Sequence, residues 1–153
     1  MPEPMDVEKV LEGLSRAISL QAQSVVHMSL LAGSLRGMGA LGTKEQLRAF
    51  VLAETEDMVT LTQKASALGG DPVAEVGRIA VDTDPGKALP ALLQHEQEAI
   101  AALHAVIPST GQEARSEALE HLLEHVIMRK QQQVDFLWHA SDLPEPLDPV
   151  DTD

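Results

Sequence analysis

The sequence contains no cysteine, no tyrosine and a single tryptophan. Without cysteine the chain cannot form disulfides, iron–sulfur clusters, thiolate zinc sites or a thiol nucleophile. Its three larger aromatic rings, Phe50, Phe136 and Trp138, are too few to build the stacking platforms on which single-stranded nucleic acids bind. These absences exclude several classes of function before any pattern is considered.

Basic residues are also scarce, with 11 Lys and Arg against 24 Asp and Glu, which gives a net charge of −13. Because phosphate groups are bound by basic surfaces, this charge argues against nucleic acids and anionic membranes as partners. No apolar run approaches the roughly 20 residues of a membrane span. The first residues also lack the basic and then apolar layout of a signal peptide. We therefore expect a soluble, cytoplasmic protein.

Four amphipathic segments carry apolar residues at alternating spacings of three and four, which is the pattern of a helix bundle. They end at about Leu35, at Gly69-Gly70, before Pro108 and at about residue 141. Residues suited to cap a helix N-terminus precede them: Asp6, Thr43, Asp84 and Thr110. Thr43 and Thr110 are each followed three residues later by Gln or Glu, as in a capping box.

The connections between these segments are short, long and short. Short connections join antiparallel neighbours, whereas a connection of a dozen residues can run the length of a bundle. The sequence therefore predicts an all-α, antiparallel four-helix bundle over residues 1–141, with one long crossover between helices 2 and 3. Residues 142–153 contain three prolines, five acids and no base, so we expect a disordered tail.

The apolar stripe of each helix is interrupted near its middle by polar side chains. These are Gln21 on the first helix, Glu54 and Asp57 on the second, Glu96 on the third, and Lys130 and Gln133 on the fourth. If the helices align as the loop lengths suggest, these side chains meet in one layer. A buried carboxylate must be paired, protonated or bound to a cation. This layer is the candidate functional site.

With this layout of helices and polar side chains, the chain resembles the ferritin-like superfamily, most closely bundles of the bacterioferritin and rubrerythrin kind. The resemblance covers roughly residues 8–140 and includes the loop placement. It also includes Leu-Gly-Gly-Asp-Pro at 68–72 and Val-Asp-Phe-Leu at 134–137. Such proteins bind two irons with a Glu on helix 1, Glu-x-x-His on helix 2, Glu on helix 3 and Glu-x-x-His on helix 4.

The resemblance places these ligands on Gln21, on Glu54 and Asp57, on Glu96, and on Lys130 and Gln133, with Arg129 as the rival of Lys130. Only Glu54 and Glu96 keep the ligand's identity. The position of the haem-binding Met of bacterioferritin falls on Thr55, so no haem site is expected. We expect three acids and two amides to surround Lys130, whose ammonium supplies positive charge and three hydrogen-bond donors in place of a metal.

This interpretation predicts a ferritin-like protein without di-iron ferroxidase activity and with no cofactor. Such a protein would act as a homodimer or a binding module. The alternative is an iron-storage protein or oxidoreductase with a non-standard ligand set. It would hold a single divalent ion (Fe, Mn, Mg or Ca) through Gln21, Glu54, Asp57, Glu96 and Gln133.

Histidines offer a second kind of candidate ligand. His121 and His125 have the i, i+4 spacing that can hold zinc, but they lie off the apolar stripe and are expected on a solvated face. His27, His95 and His104 each neighbour a stripe residue, which predicts boundary or surface positions. Among these, His95 lies next to Glu96, so a small helix rotation would turn it into an alternative ligand.

Overall fold

The computed structural model describes residues 3–141, which form four α-helices joined by two short connections and one long one. The helices are α1 (Val7–Ser34), α2 (Leu41–Ala67), α3 (Pro85–His104) and α4 (Ser116–Ala140). No strand occurs in this range, and the predicted all-α four-helix bundle is confirmed. The tail predicted at 142–153 lies outside the described residues.

The long crossover between α2 and α3 runs along the length of α1. At its beginning, Gly70 lies so close to Leu11 that a Cβ atom on the glycine would be 2.9 Å from the leucine side chain. At its end, the Thr83 carbonyl accepts a hydrogen bond of 2.9 Å from the Arg36 amide. The crossover therefore carries the chain from one end of the bundle to the other before α3 begins.

Two of the four predicted helix starts are found. Asp6 caps α1 by accepting a hydrogen bond of 3.2 Å from the Lys9 amide, and α3 begins at Pro85 directly after Asp84. The capping box predicted at Thr43 is wrong, because a 3₁₀ turn at Met38–Ala40 leads directly into α2 and the chain is already helical at Thr43.

The cap predicted at Thr110 is also wrong, because α4 begins six residues later. The Thr110 hydroxyl oxygen instead lies 2.8 Å from the Ile107 carbonyl and 2.6 Å from a carboxylate oxygen of Glu120, and its single proton is shared between these two acceptors. The carboxylate of Glu113 accepts a hydrogen bond of 2.6 Å from the Met5 amide. Thus Thr110 bonds to Ile107 and Glu120, and Glu113 bonds to the N-terminal segment, so neither side chain caps α4.

The apolar core is divided into two large clusters, one toward each end of the bundle. The first contains Val10, Leu14, Ile18, Leu61, Leu103, Leu119, Leu123 and Val126 among its buried members. The second contains Met28, Leu31, Leu47, Leu89, Leu92, Leu93, Val134 and Leu137 among its buried members. On every helix, the predicted polar side chains fall in the interval between the two clusters.

Candidate functional site

The predicted polar side chains are buried together at mid-height of the bundle. The exposed fraction is 0% for Gln21, Glu54, Glu96 and Lys130, 1% for Gln133 and 6% for Asp57. A seventh member, Ser24, is also fully buried. These residues separate the two apolar clusters, so the layer has the location that the helix patterns suggest. That these residues bind no metal remains a prediction.

Lys130 lies at the centre of this layer and connects three helices. Its Nζ is 2.9 and 3.0 Å from the two carboxylate oxygens of Glu54 on α2. It is 2.6 Å from Oε2 of Glu96 on α3 and 3.4 Å from the hydroxyl of Ser24 on α1. The ammonium group therefore donates to both buried glutamates, and Lys130 rather than Arg129 faces the core.

Asp57 does not face Lys130, which corrects the expectation that three acids surround the lysine. Its Oδ2 accepts hydrogen bonds from both Nε, at 2.8 Å, and a terminal nitrogen of Arg129. This ion pair lies at the border of the layer, with side chains 9% and 21% exposed. Lys130 and Arg129 are adjacent on α4, so their side chains leave the helix about 100° apart and reach different acids.

The two amides of the layer differ in how they are bonded. The Gln21 side chain donates to the backbone carbonyl of Glu54 at 3.0 Å and also to its carboxylate. Four buried polar atoms of the layer have no protein partner among the described residues. They are Nε2 and Oε1 of Gln133, Oε1 of Gln21 and Oε1 of Glu96. Buried polar atoms are normally satisfied by protein or ordered water, so we expect water to complete this part of the layer.

Burial and charge set the protonation of the central group. Burial raises the pKa of Glu54 to about 7, an effect that Lys130 opposes and the neighbouring Glu96 reinforces. For Lys130, burial alone would lower the pKa, but the carboxylates of Glu96 and Glu54 outweigh it and raise the pKa. Lys130 therefore stays charged, whereas Glu54 exchanges a proton near neutral pH.

The donor set does not fit a di-iron centre. Two of the six ligand positions are amides, one is a lysine whose ammonium bonds to both remaining glutamates, and Asp57 is held by Arg129. Within residues 3–141, no group of three or more His, Asp or Glu side chains is arranged to hold a metal ion. An ammonium at the centre would also repel a divalent cation.

Two members of this site were harder to find in the sequence. Ser24 is one turn after Gln21, but a serine within a helix is commonly exposed and gives no signal of its own. The sequence indicated Arg129 only as the alternative to Lys130 for the core-facing position, and it did not predict the bond of Arg129 to Asp57. Thr55, at the position of the haem-binding Met, is exposed and donates to the Val51 carbonyl.

The other histidine candidates lie outside the layer. His121, His125 and His104 are exposed, as expected. The His121 ring is 3.8 Å from the carboxylate of Glu117 one turn earlier. His27 and His95 are partly buried at the border between α1 and α3. The rotation that would turn His95 inward does not occur, and its Nε2 contacts the Leu20 carbonyl at 3.3 Å.

Several solved structures have the same fold. A ferritin-like di-iron-carboxylate protein from Bacillus anthracis is 20% identical, with a TM-score of 0.77, and the match covers 88% of this chain and 96% of that one. A mycobacterial bacterioferritin is 21% identical, with a TM-score of 0.75 and coverage of 85% and 81%. A dodecameric thioferritin from Bacteroides fragilis is 14% identical, with a TM-score of 0.80 and coverage of 89% and 86%.

Comparison with curated proteins finds no match. None of the helices in the described part of the chain combines the length and hydropathy that crossing a membrane requires. A family model described as a ferritin-like domain matches residues 11–145, which is most of the chain. The order of the helices, the long crossover and this match together show that the chain belongs to the ferritin-like family.

Proposed function

We propose that this protein is a ferritin-like bundle without a di-iron ferroxidase centre, in which a network of Lys130 and buried carboxylates takes the place of the metal. The observation that carries the proposal is the position of the Lys130 ammonium, within 3.0 Å of both Glu54 and Glu96. The network needs no cofactor, and the protein acts through its surface as an oligomer or a binding module.

The charges of the layer support this proposal. Each acid of the layer is paired with an organic cation, Glu54 and Glu96 with Lys130 and Asp57 with Arg129. If such a layer lost its metal and gained no organic cation, several buried carboxylates would have no counter-charge, which is strongly unfavourable. The two adjacent cations of α4 thus keep the bundle folded without a metal.

The surface of α2 supports self-association. Leu52 and Val59 lie seven residues apart on one face of this helix and are 72% and 49% exposed. Val59 also lines an open groove of about 580 Å³ with Met58 and Pro72. Exposed apolar faces of this kind are typical of interfaces, and the thioferritin relative is dodecameric. We propose that two copies pair to form a homodimer; the cytoplasmic location stays a prediction.

Anaerobic titration with Fe(II), followed by exposure to oxygen, tests the loss of the di-iron centre. We expect the wild-type chain to bind no iron in the layer and to oxidise Fe(II) no faster than buffer does. Binding of two irons per chain with rapid oxidation would overturn the proposal and favour the iron-handling alternative.

A variant sharpens this test. Lys130→Glu replaces the ammonium with a further carboxylate, so we expect it to fold only when a divalent ion is supplied and to bind that ion. The exposed Lys87→Glu change serves as the matched control and is expected to alter neither property. If Lys130→Glu folded equally well with and without metal and bound none, the ammonium would not be standing in for a metal.

A further inference from the structure

A second feature lies on the border between α1 and α3, outside the buried layer. His27 of α1 and His95 of α3 face each other with ring centroids 5.8 Å apart and ring planes tilted by 55°. Both side chains are partly buried, and each belongs to a long helix whose other face packs in the core. Two imidazoles are therefore held close together by two separate helices.

This separation suits two imidazoles that share one metal ion. A zinc ion lies about 2.0–2.1 Å from an imidazole nitrogen and hence about 3.1 Å from the ring centroid. Two rings bound to one ion then have centroids about 5 Å apart at the tetrahedral angle and about 6 Å apart at wide angles. The observed 5.8 Å falls within this interval without any movement of the helices.

The hydrogen bond of His95 prepares the ring for such a role. Its Nε2 is 3.3 Å from the Leu20 carbonyl, and since a carbonyl only accepts, a hydrogen bond between them places the proton on Nε2. In the tautomer that carries the proton on Nε2, the lone pair lies on Nδ1. Metal-binding histidines commonly donate their second ring nitrogen to a backbone carbonyl in this way, which fixes the tautomer and the ring orientation.

The crossover passes along the same side of α1. The Glu75 amide donates to the Ser19 hydroxyl at 2.9 Å, and the Gln23 side chain donates to the Glu75 carbonyl at 2.9 Å. His27 follows Gln23 by one helical turn, so it lies on the helix face that the crossover follows. Burial, and then the neighbouring His95, lower the pKa of His27, while the carboxylate of Glu96 raises it.

We propose that His27 and His95 bind one divalent transition-metal ion of the zinc and copper class, which links α1 to α3. No group of three or more His, Asp or Glu side chains of the described residues is arranged to hold a metal ion, so water completes the coordination of this two-histidine site. Imidazole is a preferred ligand of these ions. A metal that binds only the folded chain stabilises it by mass action, so the ion acts as a clamp between the two helices.

Zinc titration tests this site, provided that the exposed pair on α4 is removed first. The full-length His121→Ala/His125→Ala chain serves as the parent, since that i, i+4 pair can chelate zinc by itself. We expect one zinc per parent chain by calorimetry and a melting temperature that rises with zinc concentration. Adding His27→Gln should weaken binding by at least about tenfold and remove the zinc-dependent rise.

The matched control is His104→Gln, which changes an exposed histidine of α3 and should leave zinc binding as in the parent. Because His27→Gln removes no hydrogen bond to Leu20, it also avoids the loss of folding that changes at His95 risk. Equal affinity in the parent and in His27→Gln, or no zinc binding by the parent, would overturn the proposal. Either result leaves the iron titration of the buried layer unaffected, so the two proposals fail separately.

Discussion

The Nζ of Lys130 on α4 lies 2.6 Å from Oε2 of Glu96 on α3, and neither side chain has any exposed surface. The same nitrogen also bonds to Glu54 on α2. One side chain therefore ties three helices together in the layer between the two large apolar clusters. The contribution of this network to stability can be measured by removing the cation, by removing the whole network, and by changing its protonation.

Replacing Lys130 with Met should destabilise the protein strongly. Two glutamates would lose their cation in a place that water reaches poorly, and breaking a buried ion pair from one side costs about 3–5 kcal/mol. The free energy of unfolding, measured with urea at pH 7, should fall by about this amount. Lys87→Met, at an exposed lysine, should change it by less than about 0.5 kcal/mol.

The triple variant Glu54→Met/Glu96→Met/Lys130→Met completes this comparison. It removes the charges together and leaves none of them unpaired, and apolar replacement of a whole buried network is often neutral or stabilising. We therefore expect the triple variant to be more stable than Lys130→Met alone. A triple variant that is less stable than the single one would show that the network contributes more than charge neutralisation.

The pKa of Glu54 predicts an unusual dependence of stability on pH. This pKa is about 7 in the folded chain and 4.5 in an unperturbed glutamate, so between these values the folded state holds a proton that the unfolded state has lost. The contribution is fully present below pH 4.5 and is lost as the pH rises through 7. Its size is on the order of 3 kcal/mol.

Glu54→Gln keeps the shape of the protonated group but cannot titrate. Urea unfolding at pH 5 and pH 8 should show that the wild-type chain loses stability relative to this variant as the pH rises. The exposed Glu117→Gln change should follow the wild-type chain across the same interval. If the wild type and Glu54→Gln changed in parallel, the folded-state pKa of Glu54 would not be raised.

Two glycines of α1 should respond in opposite ways to alanine. At Gly13 an added Cβ would lie 2.8 Å from a methyl group of Val106, two residues after the end of α3. The end of α3 therefore packs against α1 without room for a side chain at Gly13. At Gly33 an added Cβ meets nothing within 4 Å. We expect Gly33→Ala to stabilise the protein by about 0.5–1 kcal/mol and Gly13→Ala to destabilise it by about 1–3 kcal/mol. Thermal unfolding of both variants measures the difference.

The layout of the helices could be predicted from the sequence because periodicity reports which side of a helix is buried. The interruption of four apolar stripes at similar depth also placed Glu54, Glu96 and Lys130 at one level. The partner of Asp57 could not be predicted, since residues 129 and 130 are both cations and only the rotation of α4 decides which acid each one reaches.

The helix caps show a different limit. Thr43 and Thr110 carry the local pattern of a capping box, yet neither starts a helix. The decisive contact at the second site joins Glu113 to Met5, which are 108 residues apart in the chain. Local sequence cannot report such a pairing, and the same holds for the approach of His27 to His95 across two helices.

The cation in the middle of this bundle is covalently part of the polypeptide, so its supply depends neither on iron uptake nor on the reducing state of the surroundings. Treatment with a chelator cannot remove Lys130 from between Glu54 and Glu96, and growth without iron cannot leave its place unfilled. In the proposed network, synthesis of the chain therefore also supplies the cation of its interior, and no separate metal-loading step follows.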